Sequence, residues 1–362
     1  MDLPLHLASD TPVTSDPANC SGWGAPYLHK VAHLDMQLYR DFYAVWVSLM
    51  ACNSVMLVLG VLLNSLALYV FCGRPRSQSA SVVYTVNLAV ADLLVALSLP
   101  ARIALYHSGG RCEACAYVHA FSYFVNMYCS ILLLTSICID RYLAVVHASS
   151  TRHPWRSAGA ARCVSVVVWT LAVVVTYSFQ TIALELNTSC ALLPALLYLT
   201  ILEFLLPLLA VVGFTLRVAC FLSSGGGLMA HQHRRGRRAR AVRLLTAVLL
   251  IFTVCFTPFH VRQVLVYSGV HTGAGGRPGT GDVLAYHVTV TLSSLNSCLD
   301  PVVYCLVTDS FKRVWRTRRR GGEAGLNKST GAALAIAHRV ATLTLTTAPT
   351  SAAVVEQKHG HQ

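Results

Sequence analysis

The chain has 362 residues, 55% of them hydrophobic and only 12% charged, with a mean hydropathy of +0.56. A water-soluble core of this size needs more polar surface than that, so the composition excludes an ordinary globular protein and makes lipid the main solvent. The formal net charge of +13 sits in short segments between or after the apolar runs, at Arg74 and Arg76, Arg152 to Arg162, Arg234 to Arg243, and Lys312 to Arg320. That is the positive-inside pattern of a membrane protein and argues against nucleic acid as a partner.

Residues 1–42 carry five Asp against one Lys and one Arg, which predicts an extracellular amino-terminal segment and a cytoplasmic carboxyl end. No basic start with an apolar run follows Met1, so the first span is expected to act as its own insertion signal. Seven apolar runs follow: Tyr43 to Cys72, Ser79 to His107, Cys115 to Val146, Ala161 to Thr181, Ala191 to Leu222, Ala241 to Gly269, and Val283 to Val307. At about 1.5 Å per helical residue each can cross roughly 30 Å of hydrocarbon, and an odd number places the termini on opposite sides. The third run has no Asp, Glu, Lys or Arg between Glu113 and Asp140, and ends in Asp140-Arg141-Tyr142. Charges at a membrane edge are costly unless paired, which marks this foot as a functional candidate.

Pro100, Pro207, Pro258 and Pro301 interrupt four of the runs. A proline frees a carbonyl and bends its helix, so a bundle that moves is expected. After the seventh run, Ser310 to Arg318 alternates apolar and basic residues, predicting a short amphipathic eighth helix on the inner leaflet. The architecture read from these features is an all-α membrane protein: a seven-transmembrane helix bundle over residues 43–320, followed by a disordered tail over 321–362.

Several residues, taken together, resemble the rhodopsin-like, or class A, G-protein-coupled receptors. They are Gly60 and Asn64; Asn87 to Asp92; Asp140-Arg141-Tyr142; Trp169; Pro207; Phe252 with Cys255-Phe256-Thr257-Pro258; and Asn296 to Tyr304. Asn126 to Leu132, Pro258 to Arg262 and Asp300 resemble the branch that holds nucleotide and lysophospholipid receptors. The resemblance implies a plasma-membrane receptor coupled to a heterotrimeric G protein, of inhibitory type, with arrestin and membrane lipids as further partners. It implies that Arg141, between Asp140 and Tyr142, swings out to meet the G protein while Phe252, Phe256, Pro258 and Tyr304 rearrange. Two departures stand out: Arg238 and Arg240 occupy a region where many relatives carry an acid, and Thr215 replaces a common tyrosine. A weak inactive lock and constitutive activity are the expectation.

Asp92 and Asp300 are carboxylates inside apolar runs and must be protonated, hydrogen-bonded or paired. The resemblance sets them facing one another with Asn126, Ser130 and Asn296, as an oxygen cluster suited to sodium. A dry polar network joining the helices is the alternative reading. No other cofactor is expected.

The seventh run has no lysine for a retinal Schiff base, and Tyr123 stands where amine receptors carry an aspartate. The outer half offers Arg102, Arg111, His119, His260, Arg262 and His287 around Tyr123, Phe124 and Met127. These groups fit an anionic small molecule or lipid, unless Glu203 neutralises His260 or Arg262 internally. By resemblance Cys115 pairs with Cys190, while Cys112 and Cys20 remain free to pair or to exchange roles. Asn19 and Asn187 open glycosylation sequons on the outer side. The competing class is a transporter or channel without G-protein coupling, but the chain lacks the paired repeats that transporters show. An enzyme is disfavoured, because neither His-Glu-x-x-His nor Gly-x-Ser-x-Gly occurs.

Overall fold

The computed structural model describes residues 34, 36–72, 79–146, 156–184, 192–223, 231–271 and 280–307. Among them the secondary structure is helical throughout. A short helix α1 (Met36–Asp41) precedes α2 (Tyr43–Cys72), α3 (Ala80–His107), α4 (Glu113–Val146) and α5 (Ala158–Leu184). Then come α6 (Leu192–Ser223), α7 (His231–Ile251), a π-helical turn (Phe252–Phe256), α8 (Thr257–His271), α9 (Thr280–Ser294) and α10 (Asn296–Val307). Six stretches are long and apolar enough to cross a membrane: those of α2, α3, α4, α5 and α6, and one running from α7 through the π turn into α8. The expected seventh run is divided at Leu295 into α9 and α10, with Cys298 and Leu299 N–H both donating to the Leu295 carbonyl.

The bundle is apolar outside and polar within. Val58, Leu62, Val166, Leu206 and Leu209 are exposed, as lipid-facing residues should be. Asn64, Asp92, Asn126, Ser130 and Asp300 are buried. Helix α3 packs most extensively against α4 and α2. A Cβ on Gly60 would lie 2.9 Å from the Ala96 Cβ, so the glycine is what lets α2 and α3 approach.

Two prolines explain two irregularities. Pro301 has no N–H for the carbonyl of Ser297, and the Asn64 side chain donates to that carbonyl instead at 2.9 Å. Ahead of Pro258 the chain widens into the π turn, where Thr257 N–H and Oγ1 both reach the Phe252 carbonyl.

Leu34 and α1 pack into the bundle. Leu34 and Leu38 are buried in one cluster with Trp46, Leu49 and Tyr106. Leu34 sits so close to Gly110, whose φ is +83°, that a Cβ there would fall 2.6 Å from the Leu34 backbone nitrogen. Only glycine combines that backbone conformation with that approach.

The disulfide differs from expectation. Cys115 is bonded to Cys112, with Cα atoms 5.2 Å apart, and so does not pair with Cys190. The two cysteines stand three residues apart where α4 begins, and one helical turn places such residues within disulfide reach. Cys190, Asn19, Asn187, the eighth helix and the tail lie outside the described residues.

Replacing Gly60 by Ala is expected to lower the thermal midpoint, at a cost of about 1–3 kcal/mol from overpacking. Ala96→Gly in the same chain should recover part of that loss. Thermal unfolding of the two single variants and the double variant measures the coupling.

Candidate functional site

Three polar layers lie along the bundle axis. The first is built on the Asp140–Arg141 foot of α4. Arg141 Nη2 donates to Asp140 Oδ2 at 2.8 Å, and the Ser81 hydroxyl at the start of α3 bonds to the same carboxylate and to Arg141. Arg156, ahead of α5, reaches the other oxygen, Oδ1, at 3.5 Å. Asp140 thus serves two guanidinium groups and a hydroxyl. Helix α7, where the family resemblance leads one to expect an acid restraining this arginine, contains no Asp or Glu. Tyr142 turns away, its ring 5.0 Å from Phe214 of α6.

The second layer is central. Asn64 Nδ2 donates to the carbonyls of Gly60 (3.0 Å) and Ser297 (2.9 Å), which fixes the amide so that Oδ1 faces Tyr304. The Tyr304 hydroxyl lies 3.0 Å from that oxygen and 2.6 Å from Asp92 Oδ2. Asn126 Nδ2 donates to Asp92 Oδ1 at 3.2 Å. Tyr304 is therefore joined to Asp92 and not to Arg141. Beside this set, Ser130 Oγ, both side-chain atoms of Asn296 and both oxygens of Asp300 are buried without hydrogen-bond partners. Buried oxygens in that state are unstable unless something supplies positive charge or protons. Trp169 of α5 closes the layer from outside by donating to Asn87 Oδ1 at 3.0 Å.

The third layer lies towards Trp46 and α1. Arg102 and His287 meet there: Arg102 Nε donates to the Tyr106 hydroxyl at 2.9 Å, which is 3.1 Å from His287 Nδ1. Its Nη2 donates to the His287 carbonyl at 3.2 Å. A cavity of about 40 Å³ opens beside them, lined also by His119, Leu105, Ala116 and Val290.

The other expected ligand residues do not line that cavity. Tyr123, Phe124 and Met127 are buried, with Tyr123 and Phe124 each under 6 Å from the Phe259 ring (5.7 and 5.9 Å). Phe252 and Phe256 stand edge to face at 5.5 Å, both fully buried, next to the half-buried Pro258. His260 stacks on Phe204 at 4.2 Å and shares a hydrogen with the Phe256 carbonyl at 2.8 Å. Arg262 donates to Gln263 Oε1 (2.6 Å) and the Asp282 carbonyl (2.9 Å). Among the described residues Glu203 makes no ion pair with His260 or Arg262, and its Oε2 is buried without a hydrogen-bond partner. The internal salt bridge weighed from sequence is not formed. Arg111 is exposed and bonds to the Ser108 carbonyl.

The sequence pattern does not single out Ser81, Asn53, Tyr106 or Trp46. Each is an ordinary residue in an apolar run; packing of neighbouring helices sets Ser81 against Asp140 and Asn53 against Arg102, Tyr106 meets Arg102 one turn away in α3, and Trp46 packs against Tyr106 and His287.

A family model described as "7 transmembrane receptor (rhodopsin family)" matches residues 63–304. The chain belongs to that family and is a multi-pass membrane receptor of the G-protein-coupled class, not an enzyme. It is 47% identical over 306 residues to G-protein coupled receptor 20 of Homo sapiens, covering 84% of this chain and 82% of that protein. It is also 36% identical over 293 residues to lysophosphatidic acid receptor 5 of Bos taurus (74% and 77% covered). A purinoceptor of Rattus norvegicus is 32% identical over 295 residues (77% and 78% covered). The resemblance read from sequence, including the branch, is borne out, and the transporter or channel alternative is not supported.

Tyr304→Phe is expected to leave Asn64 Oδ1 and Asp92 Oδ2 without their shared hydroxyl, at a cost of about 1–3 kcal/mol. Tyr142→Phe should cost less, because Tyr142 is only half-buried. Thermal midpoints of the two purified variants compare them.

Proposed function

We propose that this receptor carries substantial basal activity and signals to an inhibitory-type heterotrimeric G protein, with its amino terminus outside the plasma membrane. The observation that supports it most is the set of contacts around Arg141. Its counter-charge, Asp140, is its own neighbour and is shared with Arg156, while α7 offers no acid to hold it across the bundle. Among the described residues it is held across the bundle only by the Ser81 hydroxyl of α3, a neutral partner, and an arginine without a second counter-charge needs less work to release. Arrestin and anionic lipids are the further partners proposed for the basic inner face, where about 1 kcal/mol per Lys or Arg favours an anionic leaflet.

Sodium is proposed for the central layer. Asp300 lies beside Asp92, and with Asn296 Oδ1 and Ser130 Oγ its oxygens have no N–H or hydroxyl donor among the described residues, leaving the donor set a hard cation prefers. Asp92 itself keeps Tyr304 and Asn126, so the ion would rest mainly on Asp300, Asn296 and Ser130, with Asp92 supplying charge. The ion would supply positive charge that offsets two buried acids. The ligand proposed is an anionic small molecule or lipid entering at the Arg102 end.

Arg141→Ala should reduce ligand-free guanine-nucleotide exchange in membranes to the level of untransfected cells. Exchange equal to that of the parent would sink the assignment, and each G-protein class tested in turn identifies the partner. For the ion, replacing choline chloride by sodium chloride should raise the thermal midpoint of the parent and leave that of Asp300→Asn unchanged. An equal rise in both would refute the site.

A further inference from the structure

The anionic-ligand reading leaves open where the negative charge would sit and what chemistry carries it. Arg262 and His260 are the cations that sequence favours, but the first already bonds to Gln263 and the Asp282 carbonyl, and the second is stacked on Phe204. Arg102, unlike either of them, lines the cavity. It is 1% exposed, two residues after Pro100 in α3, and its hydrogen-bond partners are all neutral. They are the Tyr106 hydroxyl at 2.9 Å, the His287 carbonyl at 3.2 Å, Ser294 Oγ at 3.4 Å and Asn53 Oδ1 at 3.5 Å. A guanidinium stays charged under all ordinary conditions, and buried charges are normally paired. Among the described residues, Arg102 pairs with no carboxylate.

His119 supplies a second, independent observation on the facing helix α4. The Ser98 hydroxyl donates to the Val95 carbonyl at 2.8 Å, so its oxygen accepts from His119 Nδ1 at 3.4 Å. That fixes the ring and leaves Nε2 as the free nitrogen, buried and without a hydrogen-bond partner. His119 and Arg102 both line the same cavity, and their charges are within electrostatic range of one another.

The cavity is small. Its volume of about 40 Å³ is on the order of three water-sized groups. A carboxyl head has three heavy atoms, and the chain behind it extends beyond this space. Leu105, Ala116, Ala120 and Val290 make the rest of the wall apolar, which suits an alkyl group behind the head.

We propose that the cavity between Arg102, His119 and His287 binds the carboxyl group of an organic acid. The inference rests on the anionic-ligand reading and narrows it to one chemistry and one subsite. One carboxylate oxygen takes the Nη edge of Arg102, displacing the long contacts to Ser294 and Asn53, since charge-assisted hydrogen bonds outcompete neutral ones at 3.4–3.5 Å. The other faces His119 Nε2, which takes up one proton from solvent on binding, so that a donor and not a lone pair meets the carboxylate. The acid comes either as a small free molecule or as the head of an acyl chain.

The test uses the purified full chain in nanodiscs, with thermal unfolding read at constant sodium. Acetate, butyrate and hexanoate are compared with chloride and with alcohols of the same chain lengths. The carboxylates should raise the midpoint by on the order of 2–5 °C near saturation, and chloride and the alcohols should not. A rise that grows with chain length identifies an acyl acid, and an equal rise identifies a small free acid. Arg102→Gln should abolish the shift and Arg262→Gln should retain it. If Arg102→Gln does not fold, Ala116→Leu fills the cavity without removing the charge and must abolish the shift as well. The proposal is overturned if no carboxylate acts, if chloride or the alcohols act equally, or if Ala116→Leu responds as the parent does. No G protein takes part in this measurement, so its failure leaves the Arg141 result untouched, and the converse also holds.

Discussion

A single hydrogen bond, from Asn64 Nδ2 to the carbonyl that Pro301 leaves without a donor, fixes the centre of this bundle. In hydrocarbon a freed carbonyl must find an internal partner, so the proline at one helix dictates an amide on another. Once the amide is fixed, its Oδ1 meets Tyr304, Tyr304 meets Asp92, and Asp92 meets Asn126. Four elements, α2, α10, α3 and α4, are thereby joined through side chains that cannot be moved one at a time.

The same chain of contacts leaves the centre unevenly satisfied. The central layer is half satisfied and half not: Asp92 has its partners, while Asp300, Asn296 and Ser130 do not. A polar network in that condition has at least two arrangements close in energy, depending on what occupies it. The π turn before Pro258 adds a second adjustable point, since a bulge can be gained or lost without breaking the helices on either side. At the foot of α4 the arrangement is simpler, with one carboxylate shared between two guanidinium groups.

Much of this is legible in the sequence. Six of the seven runs and the intramembrane acids follow from hydropathy and residue type, because a membrane span has one dominant requirement and few ways to meet it, while the motifs are read from the family resemblance. The helix bounds agree within a few residues for α2, α3 and α4. What is not legible depends on which faces meet. Ser81 is an ordinary helix residue until Asp140 is set beside it, and Arg102 reads as one cation among six until its neutral surroundings are seen. The disulfide departs from expectation because a family pairing outweighs, on paper, the local geometry of two cysteines three apart at a helix start. Helix α1 is not legible in the sequence because six residues carry too little periodicity to stand out from their polar neighbours.

The seating of Leu34 on Gly110 reaches further than the surface it covers. Trp46 and Tyr106 share a cluster with Leu34 and Leu38, and the Tyr106 hydroxyl touches both Arg102 and His287. The packing of α1 and the setting of a buried guanidinium are therefore coupled through two aromatic rings, so a change in one is felt by the other.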